Sequence, residues 1–200
     1  MAVCYGKRRA LVSLYFSPNS NDIRGVDKMI WENVTPPKVI CFAWLAWRQR
    51  LKTATYLQRA CVINGNANMD CVFCNAEPET VNHVLLWCPH IWRIWSDVLL
   101  WWGIHWVMPE SMEGVLLWWS GFTFNKFEQK IWKALPLVIL WSIWKLRNVF
   151  ILGKQPDSLA LCNYIKTKVA MWVRASSPGV PFFVNDLVFN LRQFSFWVRN

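Results

Sequence analysis

Acidic side chains are scarce in this sequence relative to basic ones. Twelve Asp and Glu stand against 22 Lys and Arg in 200 residues, and no two acids are adjacent. Polymerases and nucleases hold Mg²⁺ with clustered carboxylates, so the scarcity argues against both. No GxSxG, no Walker-type phosphate loop and no HExxH occurs either. Long apolar runs are absent as well. The longest, residues 134–144, lies between Lys133 and Lys145 and contains Pro136, whereas a bilayer span needs about 20 residues. Lys7, Arg8 and Arg9 precede an apolar stretch at 10–16, but it is short, contains Ser13 and lacks a small-residue cleavage pattern. It makes a poor signal peptide. Together these absences lead us to expect a soluble intracellular protein, nuclear or cytoplasmic, that is not an enzyme and has neither a membrane span nor a small-molecule substrate.

What is present begins with apolar mass. Hydrophobic residues make up 54% and charged ones 17%, which excludes disorder of the whole chain and suffices for one or two domains with a core. Sixteen tryptophans imply a core of large aromatics or surfaces that meet a neighbouring domain. A net charge of +10 favours polyanions without locating a site. Seven cysteines, an odd number in a chain of this size, do not make a secreted disulfide framework. A reducing compartment suits them better.

Four ligand-type residues stand close together: Cys71, Cys74, His83 and Cys88, a C-x2-C-x8-H-x4-C array. Two intervening residues close a tight turn, letting the first two thiolates converge on one ion. His83 and Cys88 supply the other corners of the tetrahedron that zinc prefers. Three thiolates and an imidazole leave no position for water, so the expected site is one structural Zn²⁺. A thioredoxin-like redox pair would need a βαβ context, which is missing. The plainer alternative is a set of buried thiols around a satisfied histidine. His90 and His105 lie outside the spacing. Residues 80–86 read as a short helix carrying His83. Five positions on, Cys88 would face elsewhere in an unbroken helix. Pro89 should end the helix and free Cys88 to turn back.

Around the array stand Trp31; Pro36, Pro37, Lys38 and Val39; Phe42, Ala43 and Trp44; Arg50, Leu51, Lys52 and Thr53; Leu57; Glu79, Thr80, Val81 and Asn82; and Trp95. In this order they resemble the zinc-binding domain that follows the reverse transcriptase in plant LINE-type (non-LTR) retrotransposons. Trp106 through Pro109 and Trp141 through Asn148 resemble the tail that accompanies it, the likeness covering about residues 28–151. Similar tails often carry an acid before Arg-Asn, where this chain has Lys145 and Leu146. The resemblance implies a non-catalytic module working beside a reverse transcriptase, helping to hold RNA or DNA.

Periodicity and punctuation imply an all-α protein: a small zinc-stabilised helical unit with a CxxC knuckle loop, then an appended helical segment. We divide the chain into a loosely attached entry (1–27, turn-rich at 17–22), the zinc-binding unit (28–102), a helical extension (103–175), and a linker with an apolar tail (176–200). Ile40, Trp44, Trp47 and Leu51 trace one helix face, with the tryptophans read as core and not as a stacking platform. Thr53 should cap a short helix to residue 60 with Leu57 facing inward. Trp92, Trp95, Leu99 and Trp102 trace the next face, ended by Gly103. A helix is expected at 112–120 and the longest at 127–150, kinked or split by Pro136. Asp157 or Ser158 should cap another to about 175.

Charge is lopsided along the unit. No acid lies between Glu32 and Asp70, yet Lys38, Arg48, Arg50, Lys52 and Arg59 do. The zinc loop carries Asp70, Glu77 and Glu79, so phosphates should avoid it and meet the five cations before it. An ordinary solvated face is the competing reading. Two further functions stay open: a protein-interaction module docking through tryptophan-rich faces, and a decayed element fragment without present activity.

Overall fold

The computed structural model describes residues 20–64, 66–153, 158–180, 182–189 and 191. The basic triplet 7–9, the apolar stretch 10–16 and the capping position Asp157 lie outside them. Helices run over Ser20–Trp31 (α1), Pro37–Trp47 (α2), Ala54–Arg59 (α3), Pro89–Trp102 (α4), Met112–Ser120 (α5), Lys126–Ile151 (α6), Ser158–Ala175 (α7) and Val184–Phe189 (α8), with a π-helical segment at His83–Trp87. No strand occurs among the described residues, only an isolated bridge between Asp70 and Pro78. The all-α expectation holds.

Local chemistry accounts for most boundaries. Proline opens α2 and α4, where its missing N–H costs nothing. Thr53, Ser111 and Asn125 cap α3, α5 and α6, each accepting a backbone N–H from the first turn. Gly103 ends α4 at φ 83°, a conformation that costs a Cβ-free residue little.

Burial departs from the expected faces where several neighbours compete for one helix. The turn expected at 17–22 is helical from Ser20, because α1 packs on α2, α5 and α6 and buries Val26, Met29 and Ile30. Helix α2 touches α1, α5 and α6, so its buried sector spans Val39, Ile40, Phe42, Ala43, Ala46 and Trp47, leaving Trp44 half-buried. Leu57 is half-buried, and Trp92 is 46% exposed. Buried residues from Val26 to Leu191 form one hydrophobic cluster, to which helices on both sides of residue 102 contribute.

Helix α6 is the centre of that cluster. It packs on α1, α2, α5, α7 and the π-helical segment, and every residue from 134 to 140 is buried. By length and composition it could cross a bilayer, but more than half of its most apolar window is covered by the other helices, as befits a core helix. It runs unbroken through Pro136. Proline leaves the carbonyl four residues earlier without a partner, here that of Trp132. The buried Trp119 indole donates to it at 2.8 Å, and the Trp132 indole donates back to the Trp119 carbonyl at 2.9 Å. The two rings stack at 4.4 Å.

The same device recurs. The Leu85 carbonyl, left open where the π-helical segment ends at Cys88, accepts from the Trp95 indole at 2.8 Å. The Val188 carbonyl, at the end of α8, accepts from the Trp101 indole at 2.9 Å. That bond and contacts with α7 tie α8 to the body. Part of the tryptophan content is thus spent on carbonyls that proline or a helix end leaves open.

Candidate metal centre and the basic groove beside it

The ligand loop is a closed turn. Cys71 N–H donates to the Glu77 carbonyl at 2.8 Å, Glu79 N–H to that of Met69 at 2.7 Å, and Asn75 N–H to that of Cys71 at 2.8 Å. Asn75 takes φ 50°, a left-handed conformation that asparagine tolerates better than most side chains, and so turns the chain after Cys74. Phe73 packs edge-on against Phe150 of α6 at 5.0 Å.

His83 and Cys88 reach the loop through the π-helical segment. The Thr80 hydroxyl accepts from His83 N–H at 3.1 Å and starts the turn. Cys88 N–H then donates to the His83 carbonyl at 2.8 Å, a bond across five residues. In an α-helix, residues five apart point about 140° away from each other. Closure over five residues brings them about one turn apart on the same side. Pro89 does end the segment, with Cys88 at ψ 130°. The wider turn, which sequence spacing did not suggest, does the rest.

All four donor atoms, the sulfurs of Cys71, Cys74 and Cys88 and a ring nitrogen of His83, lie within 4.8 Å of one another. Cys74 Sγ stands 3.3 Å from His83 Nε2. Donors on a tetrahedral zinc are separated by about 3.8 Å, so closing on an ion needs shifts of about an ångström. Cys71 and Cys88 are buried. The Cys88 thiol donates to Cys71, which lowers the Cys71 pKa to about 5 and pushes Cys88 up. Two sulfurs sharing one proton are poised to exchange it for a cation. The donor set, closeness and burial fit a structural metal ion, and a Cys3His set suits zinc. His90 and His105 are exposed and stand outside the cluster.

One acid of the loop is not what its sequence position implied. Glu79 is wholly buried. Its carboxylate accepts from Arg147 Nε at 2.9 Å and from a terminal nitrogen of the same guanidinium at 2.7 Å. It also accepts from Ala54 N–H at 2.8 Å, at the first turn of α3. The Arg147 guanidinium lies 4.9 Å from the Trp144 ring. Glu79 therefore ties the metal loop, α3 and α6 together, and its charge is cancelled where phosphate cannot see it. Only Asp70 and Glu77 keep the loop's exposed negative character. Both partners were visible in sequence, but 68 positions separate them, and no spacing rule joins such a pair.

Of the five cations singled out, the structure brings three together. Arg48, Arg50 and Arg59 line an open groove of about 420 Å³ with Gln49, Tyr56 and Ala60. Lys52 is exposed but does not line it, and Lys38 sits in the first turn of α2, 6.0 Å from the Trp141 ring. Gln49 joins groove to metal loop: its side-chain amide donates to the Asn82 side-chain oxygen Oδ1 at 2.9 Å, next to His83. The same Asn82 oxygen accepts from Met112 N–H at 3.3 Å.

Residues 12–95 match the family described as zinc-binding in reverse transcriptase. The matched stretch contains all four candidate ligands and supports a reverse-transcriptase-type zinc-binding domain in this part of the chain. No curated protein and no solved structure matches the chain.

Proposed function

We propose that the protein is a non-catalytic, zinc-stapled module derived from a plant LINE-type retrotransposon, assisting nucleic-acid binding next to a reverse transcriptase. The observation that carries this reading is the convergence of Cys71, Cys74, His83 and Cys88 within a segment matching a reverse-transcriptase zinc-binding family. Bound at these four residues, one zinc ion supplies no reaction step; it clamps loop to helix. The nucleic-acid role rests on Lys38, Arg48, Arg50, Lys52 and Arg59, a stretch free of acids, and on the removal of Glu79 from the neighbouring surface. Metal analysis of the purified chain, paired with RNA and DNA binding at low and high salt, tests both halves. One equivalent of zinc and affinity that falls steeply with salt are expected. A metal-free, fully folded chain would sink the clamp, and salt-insensitive or absent binding the nucleic-acid role.

A second reading, docking on a polymerase chain, is favoured by Trp87 and Trp92. They flank the Cys88–Pro89 corner and are 44% and 46% exposed. Binding through them would bury apolar surface and change little with salt.

A further inference from the structure

We infer that the groove between the C-terminal ends of α2 and α3 seats a single-stranded nucleic acid. Arg48, Arg50 and Arg59 contact its successive backbone phosphates, and Tyr56 stacks one unpaired base. The inference rests on the nucleic-acid reading above and narrows it to one site and one strand form.

Charge decides the sign of the ligand. Three arginines line the groove, one of them, Arg59, also donating from Nε to the Thr55 carbonyl at 3.4 Å, and no acidic residue lines it. Two helix C-termini meet there, contributing about −0.5 each. The balance is about +2, so the arginines exceed what the helix ends need. Part of the helix-end charge is already used: Arg50 N–H donates to the Leu45 carbonyl and Val62 N–H to that of Leu57, both at 2.9 Å.

Shape decides the form of the strand. A duplex presents phosphates on a convex cylinder with its bases stacked inside, out of reach of a recessed ring. The groove is open to solvent, and its volume of about 420 Å³ leaves room for one nucleotide unit splayed from a single strand. Tyr56 offers the aromatic surface and the Gln49 amide both donor and acceptor beside it. Stacking on an aromatic ring tolerates any base, so the site is indifferent to sequence. It accepts RNA and single-stranded DNA alike.

The groove is also held in shape. The Arg48 guanidinium lies 4.3 Å from the Trp47 ring, which orients its N–H groups. Gln49, between the two arginines, takes φ 55°. That left-handed conformation is unfavourable for a residue with a Cβ, and the bond to Asn82 pins it. The residues that aim Arg48 and Arg50 are thereby fastened to the segment carrying His83.

The test is fluorescence anisotropy of the zinc-loaded chain with one labelled sequence as RNA strand, DNA strand and duplex, across a salt series. A poly-glutamate peptide of matched charge serves as competitor. Single strands should bind at least tenfold tighter than the duplex, and poly-glutamate should compete poorly. Replacing Arg48, Arg50 and Arg59 with serine should lower the magnitude of the log–log salt slope by about 2, at about 0.7 per lost phosphate contact. Tyr56→Leu should weaken single-strand binding about tenfold and leave the slope unchanged. Arg93→Ser, an exposed cation on α4, controls for net charge and should change affinity less than twofold. Duplex preference, equal competition by poly-glutamate, or a triple variant matching wild type would overturn the groove while leaving nucleic-acid binding standing. Failure of every nucleic acid to bind would remove the broader reading as well. Circular dichroism of each variant separates lost contacts from lost fold.

Discussion

The ligand loop and the tryptophan core are held by opposite means. Among described residues from 61 to 79, only Cys71, Phe73 and Glu79 are buried, whereas 134–140 are buried without exception. The loop depends on a few directional contacts: the donor cluster, the Glu79–Arg147 pair and a handful of backbone bonds. The core around α6 spreads its stability over many apolar contacts, among them the stacked Trp119 and Trp132. Loss of one contact should therefore be severe in the loop and graded in the core.

Metal removal should break the comparison most sharply. Structural zinc supplies on the order of 10 kcal/mol in small metal-dependent units. Chelation, or His83→Ala, should abolish hydrogen-exchange protection in residues 69–88 while protection at 134–140 falls far less. Uniform loss in both regions would mean that the two fold as one. Arg147→Ala comes next. Stranding the Glu79 carboxylate in the interior should cost about 3–5 kcal/mol in denaturant unfolding. The double change with Glu79→Gln should recover part of it, a coupling a mutant cycle reads directly.

Effects in the core should be smaller and depend on hydrogen bonding. Trp119→Phe keeps a ring but strands the Trp132 carbonyl, and should cost about 1–3 kcal/mol. Trp102→Phe should cost less, because the buried Trp102 indole N–H has no partner to lose. Smallest is Asn125→Ala, where losing the side chain that accepts from Phe127 and Glu128 at the start of α6 should cost about 1 kcal/mol. Thermal melts read all three, and an inverted order of the tryptophan pair would show that ring volume outweighs carbonyl satisfaction.

How much was legible follows the same division. Helix bounds marked by Thr53, Pro89 and Gly103 could be read along the chain, because capping and proline act over one turn. The Cys71–Cys88 spacing was legible for the same reason. Faces were less so. Trp44, Leu57 and Trp92 kept an apolar rhythm without full burial, since periodicity says that one side is covered but not how wide the cover is. Pro136 was read as a kink or break; the partner that lets α6 continue, Trp119, belongs to another helix.

By itself the sequence determined the chemistry available: three thiols and an imidazole at metal spacing, a surplus of cations, and helices with marked ends. Those are local matters, set by bonds that span a few residues. Tertiary structure alone decided that Glu79 is buried against Arg147, that three of five cations share a groove, and that indoles close carbonyls left open by proline or a helix end. Each is a meeting of residues far apart in the chain. Such contacts form when burial removes competing water, and no pattern along the chain records which partner will be waiting.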